Sequence, residues 1–504
     1  MRVAIIVLGC MAAGAALQAQ QQLRLPQQRP LTNRASELKP EEASRGLQLS
    51  QVLDSVNKHY PPLRAALLER PLAEADQLVA LGRFDLLLRA RVEGQKFGFY
   101  ENERFQVQVD QPTTLWGSTI YSGYAQTTGR YPDYDGKLLT NDGGQYVGGV
   151  RVPLARDRAI DSRRAELAQR RIGLSLADLS IDQQRIAILQ GATRRYWDWV
   201  AAGRRLMIAK ALLDVAQARD SILTEAVRLG ALPQFEQLDN QRLVLQRRNN
   251  VVEAQRAIEN ATIELSLFLR DDQGKPRLAE ESQLPLAFPD PGALEDAQLM
   301  ADLEAAQARR PDIMRLIFQR NQVEIDRRLA QNQRLPSVDL FTEYVRELGT
   351  GPVKRGPNDV RAGIIFELPF QRRQATGRLQ AAEARMKQID QRETFQRDQV
   401  TAEVRDAASA VRAAFERSRV LHEELRITRQ VEEAERTRYE LGDSTLFVLN
   451  QREQSTAEAA VREANALADY YRAFAAYELA IARGLNPVTA PKVEEAMPKL
   501  PAVP

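Results

Sequence analysis

The sequence contains few of the residues that most enzymes and metal sites use. Among its 504 residues are two histidines, His59 and His422, and one cysteine, Cys10. Metal sites built from histidine or cysteine, histidine acid–base catalysis and disulfide frameworks are therefore close to excluded. No nucleophile–base pair or glycine-rich phosphate loop is recognisable either. These absences predict a protein that is not an enzyme and holds no cofactor or metal.

Neither sign of charge is in large excess. Seventy Lys and Arg residues stand against 67 Asp and Glu, a net charge of +3. A nucleic-acid partner is therefore not expected, because such proteins carry a strongly basic patch. Charged residues make up 27% of the chain and aromatic residues only 6%. A chain this polar is ordered when its apolar residues lie on narrow seams, as they do in long helices.

The N-terminus has the features of an export signal. Met1–Gln20 carries one arginine, an apolar run from Val3 to Leu17, and small residues up to Ala19. This pattern predicts a signal peptide over residues 1–19 that is too short to span a membrane. Lipidation at Cys10 is the alternative, but it would leave an apolar region of about half the usual length. No later segment has 18 consecutive apolar residues, so no transmembrane helix is predicted.

The chain contains an internal duplication. Val150–Ala159 resembles Phe366–Ala375 at an offset of 216, and Arg228-Leu-Gly resembles Glu440-Leu-Gly at an offset of 212. We predict two repeats, each with a helix, strands and a long helical hairpin. The predicted segments are a signal peptide (1–19), a flexible N-terminal segment (20–46), the first repeat (47–270, hairpin tip near 230), a linker (271–298), the second repeat (299–485, tip near 442) and a disordered tail (486–504).

Two segments predict very long helices. Between Pro153 and Gly230, and between Pro369 and Gly442, there is no proline and most residues are strong helix formers. About 70 residues make a rod of roughly 100 Å. The second rod has a heptad seam that includes Ala375, Leu379, Ala382, Met386, Ile389, Val400, Val404, Ala407, Val411, Ala414, Leu421 and Leu425. The step of eleven residues after Ile389 is a stutter, which locally relaxes a supercoil.

Two other segments, about 84–154 and 335–370, predict strands. Apolar and polar residues alternate around Leu88 and around Ile364, which is typical of half-buried strands. Ten of the aromatic residues lie between Phe97 and Tyr146. A soluble sheet is one interpretation, but export together with aromatics at strand ends favours an outer-membrane barrel. We count two strands per repeat and four per chain. Because the smallest membrane barrels have eight strands, the chain is expected to be an oligomer.

These residues resemble the TolC-like outer-membrane efflux channel family over roughly Leu47 to Leu485. The resemblance rests on the duplication, the junctions Pro153-Leu154 and Pro369-Phe370, and the breaks at Leu229-Gly230 and Leu441-Gly442. It implies a homotrimer with a mainly α fold, in which four strands from each chain form one twelve-stranded barrel in outer-membrane lipid. A long helical barrel continues it across the periplasm.

The resemblance also implies roles for the hairpin tips. They would dock a periplasmic adaptor protein that connects to an inner-membrane transporter. The tip residues are Leu229, Gly230, Ala231, Leu441, Gly442, Asp443, Ser444 and Thr445. Tyr439 and Glu236 match family positions that hold the periplasmic gate shut. Other gate positions do not match, since Ser444, Val448 and Gln451 replace an arginine and two acidic residues.

The function expected from the resemblance is a passive exit duct of a tripartite efflux or secretion system, gated at the helix tips. Its cargo, whether drugs, metal ions, metabolites or a polypeptide, cannot be derived from the sequence. The alternative is a soluble periplasmic coiled-coil scaffold or an adaptor protein. An adaptor normally has one coiled hairpin and a lipoyl-type domain, whereas this chain has two hairpins and aromatic-rich strands.

Overall fold

The computed structural model describes residues 46–132, 138–230, 232–285, 287–351 and 358–485. The predictions for the signal peptide, Cys10, residues 20–45, Ala231 and the tail lie outside these ranges. The described residues are mostly helical, with one antiparallel sheet. The helices are α1 (Leu49–His59), α2 (Pro61–Leu67), α3 (Glu69–Leu81), α4 (Ser162–Arg228), α5 (Gln234–Ser266), α6 (Asp296–Arg309), α7 (Pro311–Asn332), α8 (Arg373–Glu440) and α9 (Leu446–Ala480).

The two predicted rods are present as α4, with 67 residues, and α8, with 68 residues. At a rise of 1.5 Å per residue, each is about 100 Å long. The Asp161 side chain caps α4 by accepting a hydrogen bond from the Arg164 backbone N–H at 2.8 Å. Each rod ends just before a glycine, and a second helix then runs back along it. The chain therefore forms two hairpins, α4–α5 and α8–α9.

The predicted heptad seam of α8 is its buried face. Every seventh residue is buried before the stutter and again after it, while the seam residues between them are partly buried. The buried members are Ala375, Ala382, Ile389, Val400, Val404, Val411 and Leu425. The eleven-residue step from Ile389 to Val400 keeps the seam on one side of the helix, because eleven residues complete about three turns.

Among the described residues the sheet has six strands, which corrects the prediction of four per chain. The strands are β1 (Leu87–Gln95), β2 (Asn102–Pro112), β3 (Thr119–Gly129), β4 (Gln145–Pro153), β5 (Ser337–Glu347) and β6 (Asp359–Glu367). Their spatial order is β1-β2-β3-β4-β5-β6, so each strand pairs with its sequence neighbours. The prediction missed β2 and β3, which lie between Phe97 and Tyr146, because apolar residues are sparse there and their alternation with polar residues is weak. In β2 the valines alternate with glutamines, which is a strand pattern of low hydrophobicity.

Two apolar clusters hold the helices together. The larger one lies where α4, α8 and α9 meet, and its centre is formed by Trp199, Val404 and Tyr471. The Trp197 ring stacks on Tyr471 with centroids 4.2 Å apart. The smaller cluster joins α4 to α7 through Ile172 and Phe318. The clusters fix the first hairpin against helices that are far away in the sequence.

The predicted linker is irregular but well anchored. Phe288 stacks on Trp197, and the Tyr471 hydroxyl donates to Pro289 O at 2.8 Å. The Tyr470 hydroxyl donates to Gly292 O at 2.9 Å and accepts from Gly292 N at 3.0 Å. These contacts bind the segment between the repeats to α4 and α9.

Candidate functional site

Each hairpin turns at a glycine with left-handed backbone geometry. Gly442 has a φ of +81° and Gly230 a φ of +71°. The Gly442 N–H bonds Tyr439 O at 3.0 Å and the Asp443 N–H bonds Arg438 O at 2.8 Å. This pair of bonds is the Schellman motif, in which a glycine ends a helix at little steric cost. A Cβ on either glycine would meet no other group of the described residues within 4 Å. The glycines are therefore required by backbone conformation and not by crowding.

Both hairpin tips expose large apolar side chains. Leu229 is 66% exposed and Phe235 70%, while Leu441 is 74% and Phe447 71% exposed. Each leucine precedes the glycine and each phenylalanine follows it by five residues, so the arrangement is duplicated. We call these four side chains the tip patch. Apolar side chains grouped at exposed turns are typical of protein interaction sites.

Seven of the eight predicted tip residues lie in the described turns, and their role in docking stays a prediction. Leu229, Gly230, Leu441, Gly442, Asp443, Ser444 and Thr445 all lie in the two turns. The Thr445 hydroxyl caps α9 by accepting from Val448 N at 3.4 Å, and the Ser444 hydroxyl donates to Glu435. Phe235 and Phe447 were not among the predicted tip residues, although their identical spacing after the two glycines is visible in the sequence.

The predicted gate residues form no hydrogen bond with each other in the part of the chain that the structure describes. Tyr439, near the end of α8, and Glu236, in the first turn of α5, are both partly exposed. Within the described residues, neither side chain forms a hydrogen bond or ion pair. The nearby Arg438 pairs with Glu435 at 3.7 Å, and Arg436 with Glu432 at 2.8 Å. A single chain therefore leaves both gate residues available to other partners.

A buried polar network crosses from the first hairpin to the second. Glu453 of α9 accepts from Arg247 Nη2 of α5 at 3.0 Å and from Arg219 Nη2 of α4. Arg247 Nη1 also donates to Leu212 O at 2.8 Å, and Arg219 Nη1 donates to Asn450. Burial lowers the pKa of Arg247, and Glu453 partly offsets this effect. Because Glu453 follows Leu446, the first residue of α9, by seven residues, the network lies about 10 Å along α9 from its start near the tip.

The sheet has one polar face and one apolar face. Residues that pair across the six strands point to the same side. The polar face lines a cavity of about 1020 Å³, with Arg89, Gln108, Asp110, Tyr121, Glu343 and Arg361 among its walls. Gln108 donates to Asp110 at 2.7 Å, and the Tyr121 hydroxyl donates to Glu343 at 2.7 Å. The cavity wall therefore resembles the lining of an aqueous passage.

The opposite face of the sheet is apolar and aromatic. It carries Leu88, Val92, Phe105, Val107, Tyr124, Tyr146, Tyr344, Val360, Ile364 and Phe366. A sheet with a polar concave face and an aromatic-rich outer face has the pattern of an outer-membrane strand array. Among the described helices, none has the combination of length and apolarity that crossing a bilayer requires.

Comparisons with known proteins point to one family. Residues 303–483 match the model of the outer membrane efflux protein family. No curated protein matches the sequence significantly.

Solved structures with the same fold cover nearly the whole chain. The Neisseria gonorrhoeae MtrE outer membrane channel, in its open state, has a TM-score of 0.63 at 15% identity, covering 92% of this chain and 95% of its own. The Campylobacter jejuni CmeC outer membrane channel has a TM-score of 0.59 at 15% identity, covering 93% and 95%. The Vibrio cholerae outer membrane protein VceC has a TM-score of 0.60 at 16% identity, covering 87% and 97%.

The matched family is one of outer membrane efflux proteins, and MtrE and CmeC are outer membrane channels, which agrees with the prediction that the chain is not an enzyme. The family model covers much of the second repeat, and the shared fold covers both repeats. The similarity of this chain to the TolC-like outer-membrane efflux channel family is thereby confirmed.

Proposed function

We propose that three copies of this chain form a passive exit duct in the outer membrane, as part of a tripartite efflux or secretion system. The observation that carries the proposal is the division of the sheet into a polar concave face and an apolar outer face. One chain presents an open sheet, and open edges cannot face lipid because their N–H and C=O groups would lack partners. Several copies are therefore needed to enclose a pore.

The tip patch supports an adaptor protein as the periplasmic partner. Leu229, Phe235, Leu441 and Phe447 expose apolar surface at the ends of both hairpins, far from the sheet. A coiled adaptor with apolar residues at its own hairpin end would bury this surface. The adaptor would in turn connect the duct to an inner-membrane transporter, and Tyr439 and Glu236 would close the entrance through contacts between copies.

Fractionation and adaptor capture test the proposal. The protein is expected in the outer-membrane fraction, and detergent is expected to release it as a trimer. Recovery in the soluble periplasm, or as a monomer without detergent, would instead support the coiled-coil scaffold. A periplasmic adaptor protein of the same cell should co-purify with it. Phe235→Ser combined with Phe447→Ser should abolish that capture without changing the trimer.

Phe395→Ser is a matched control. Phe395 is 69% exposed on α8, but it lies 47 residues before Gly442, about 70 Å along the helix. Adaptor capture should therefore survive in this variant. Equal loss of capture in the control and in the tip variant would argue against specific docking at the tips.

A further inference from the structure

The sheet of one chain has two free edges. In the described ranges, β1 and β6 each pair with one neighbour only, and each has nine residues. All nine residues of β1 and most residues of β6 are exposed. Both strands carry apolar side chains on the outer face, and neither contains a proline that would block a further strand. Long, apolar edges of this kind are suited to pair with another strand.

We propose that β6 of one copy pairs with β1 of the next, so that three copies form an eighteen-stranded barrel. The inference rests on the proposed trimer. It departs from the twelve strands implied by the resemblance, because the first repeat contributes the additional hairpin β1–β2. β6 cannot pair with β1 of its own chain, because the resulting barrel would have six strands, fewer than the smallest membrane barrels have.

Strand direction and face both permit this pairing. Six strands in a simple meander place β1 and β6 antiparallel, so β6 followed by β1 of a second copy continues the alternation. Aligning Asp359 with Gln95 and Glu367 with Leu87 pairs all nine residues. Phe366 then lies opposite Leu88 and Ile364 opposite Ala90 on the outer face. A shift of one residue would move these side chains into the polar interior.

Charge complementarity selects the same register. Arg361, on the polar face of β6, lies opposite Glu93 of the next copy. Within the chain, Glu93 pairs with Arg91 on the same face, whereas Arg361 has no ion-pair partner among the described residues. A shift of two residues in one direction would place Arg361 opposite Arg91, which is unfavourable. The opposite shift would separate Arg361 from Glu93 and leave residues at both strand ends unpaired.

The register also gives an acceptable strand tilt. A line across the sheet from Leu87 passes through Asp110, Tyr121, Gly149, Glu343 and Arg361. In the proposed pairing the line reaches Glu93 of the next copy. Glu93 lies six residues along β1 from Leu87, where the line began. The line is therefore displaced by six residues over six strands, or by one residue per strand. With a rise of about 3.3 Å and a strand spacing of about 4.8 Å, the strands tilt by about 35°. Membrane barrels have tilts of about 35–45°.

The consequence is a wider pore. At this tilt, eighteen strands enclose a ring about 34 Å across between backbones, compared with about 22 Å for twelve strands. Barrels of sixteen to eighteen strands leave an aqueous channel. The additional hairpin would also contribute polar wall residues, including Arg104 and Gln106. The duct would therefore accept bulkier solutes than a twelve-stranded barrel of the same tilt.

Disulfide cross-linking tests the pairing. Cys10 is the only native cysteine and lies in the predicted signal peptide. Once Cys10 is replaced by Ser, disulfides can form only between introduced cysteines. Directly opposed strand residues have Cα atoms about 4.5–5.5 Å apart, which a disulfide can bridge. Oxidising the full-length protein that carries Glu93→Cys and Arg361→Cys should give dimers and trimers, and nothing larger, on denaturing gels. Leu88→Cys with Phe366→Cys should do the same from the outer face without removing the ion pair.

Two further variants supply the control and the competing geometry. Leu87→Cys with Arg361→Cys should stay monomeric, because those positions lie six residues apart in the proposed register. Ala125→Cys with Arg361→Cys would cross-link instead if β6 paired with β3 in a twelve-stranded barrel. If the protein has a trimeric mass in detergent and only the cysteines at positions 125 and 361 cross-link, the eighteen-stranded barrel is wrong, but the proposed exit duct still holds. A monomeric mass in detergent would overturn the proposed function, and the ring with it.

Discussion

Arg247 and Glu453 form a buried ion pair between the two hairpins, with Nη2 and Oε2 3.0 Å apart and side chains only 1% and 3% exposed. Arg219 binds the other oxygen of the same carboxylate. Glu453 thus accepts hydrogen bonds from two arginines of the first hairpin. The network lies close to the tips, where Leu229, Phe235, Leu441 and Phe447 are exposed.

We expect Glu453→Leu to destabilise the protein by about 3–5 kcal/mol, because it leaves Arg219 and Arg247 buried without a counter-charge. The midpoint of denaturant unfolding in detergent measures the effect. Adding Arg247→Met to this variant should recover part of the loss, since it removes one of the uncompensated charges.

Glu458→Leu is the control for this prediction. Glu458 lies on the same helix, five residues further on, and is exposed. Surface substitutions of this kind usually change stability by less than about 0.5 kcal/mol. Similar losses from Glu453→Leu and Glu458→Leu would show that the buried network does not stabilise the fold.

A second prediction concerns the gate. Tyr439 and Glu236 have no side-chain partner in the described part of the chain, so any closing contacts must come from neighbouring copies. Tyr439→Phe combined with Glu236→Gln should therefore raise single-channel conductance in a planar bilayer. Glu433→Gln is the matched control, because Glu433 is exposed one to two turns earlier on α8. If the double variant conducts like the control, neither residue belongs to the gate.

The long helices and their ends were predictable from the sequence because they depend on local properties. The absence of proline fixed the rods, Gly230 and Gly442 fixed the turns, and the heptad spacing through Val404 and Val411 identified the buried face. Each of these features follows from residues within a few turns of one another.

The strand count and the network were not predictable in the same way. β2 and β3 are rich in Gln, Gly and Thr, so their alternation is weak without knowledge of which face meets lipid. The Arg219–Glu453 contact joins residues 234 positions apart. Nothing in the local sequence distinguishes these residues from the many charged side chains on exposed helix faces.

Substitution of the turn glycines gives a third prediction. Gly442→Ala should destabilise the tip by about 1–2 kcal/mol, because alanine resists the left-handed conformation even where space is free. Hydrogen exchange at the Asp443 amide should become faster, since its bond to Arg438 O depends on this geometry.

Gly377→Ala, inside α8 and also free of contacts, should instead stabilise the protein by up to about 1 kcal/mol. Unchanged exchange at Asp443 would contradict the requirement for glycine.

The fourth prediction is a pH dependence of stability that arises from Glu478, near the end of α9. Burial raises the pKa of this carboxyl from 4.5 to about 7, although Arg483 at 3.7 Å opposes the shift. The folded protein therefore holds the proton more tightly than the unfolded chain. The Glu478 carboxyl therefore contributes fully to the free energy of unfolding below about pH 4.5, where it is protonated in both states. This contribution, about 3 kcal/mol in total, is lost as the pH rises through 7. Glu478→Gln should flatten the fall in apparent unfolding temperature between pH 5 and pH 8, whereas Glu416→Gln, an exposed control, should leave it unchanged. Parallel profiles for wild type and Glu478→Gln would show that this carboxyl does not titrate in the range.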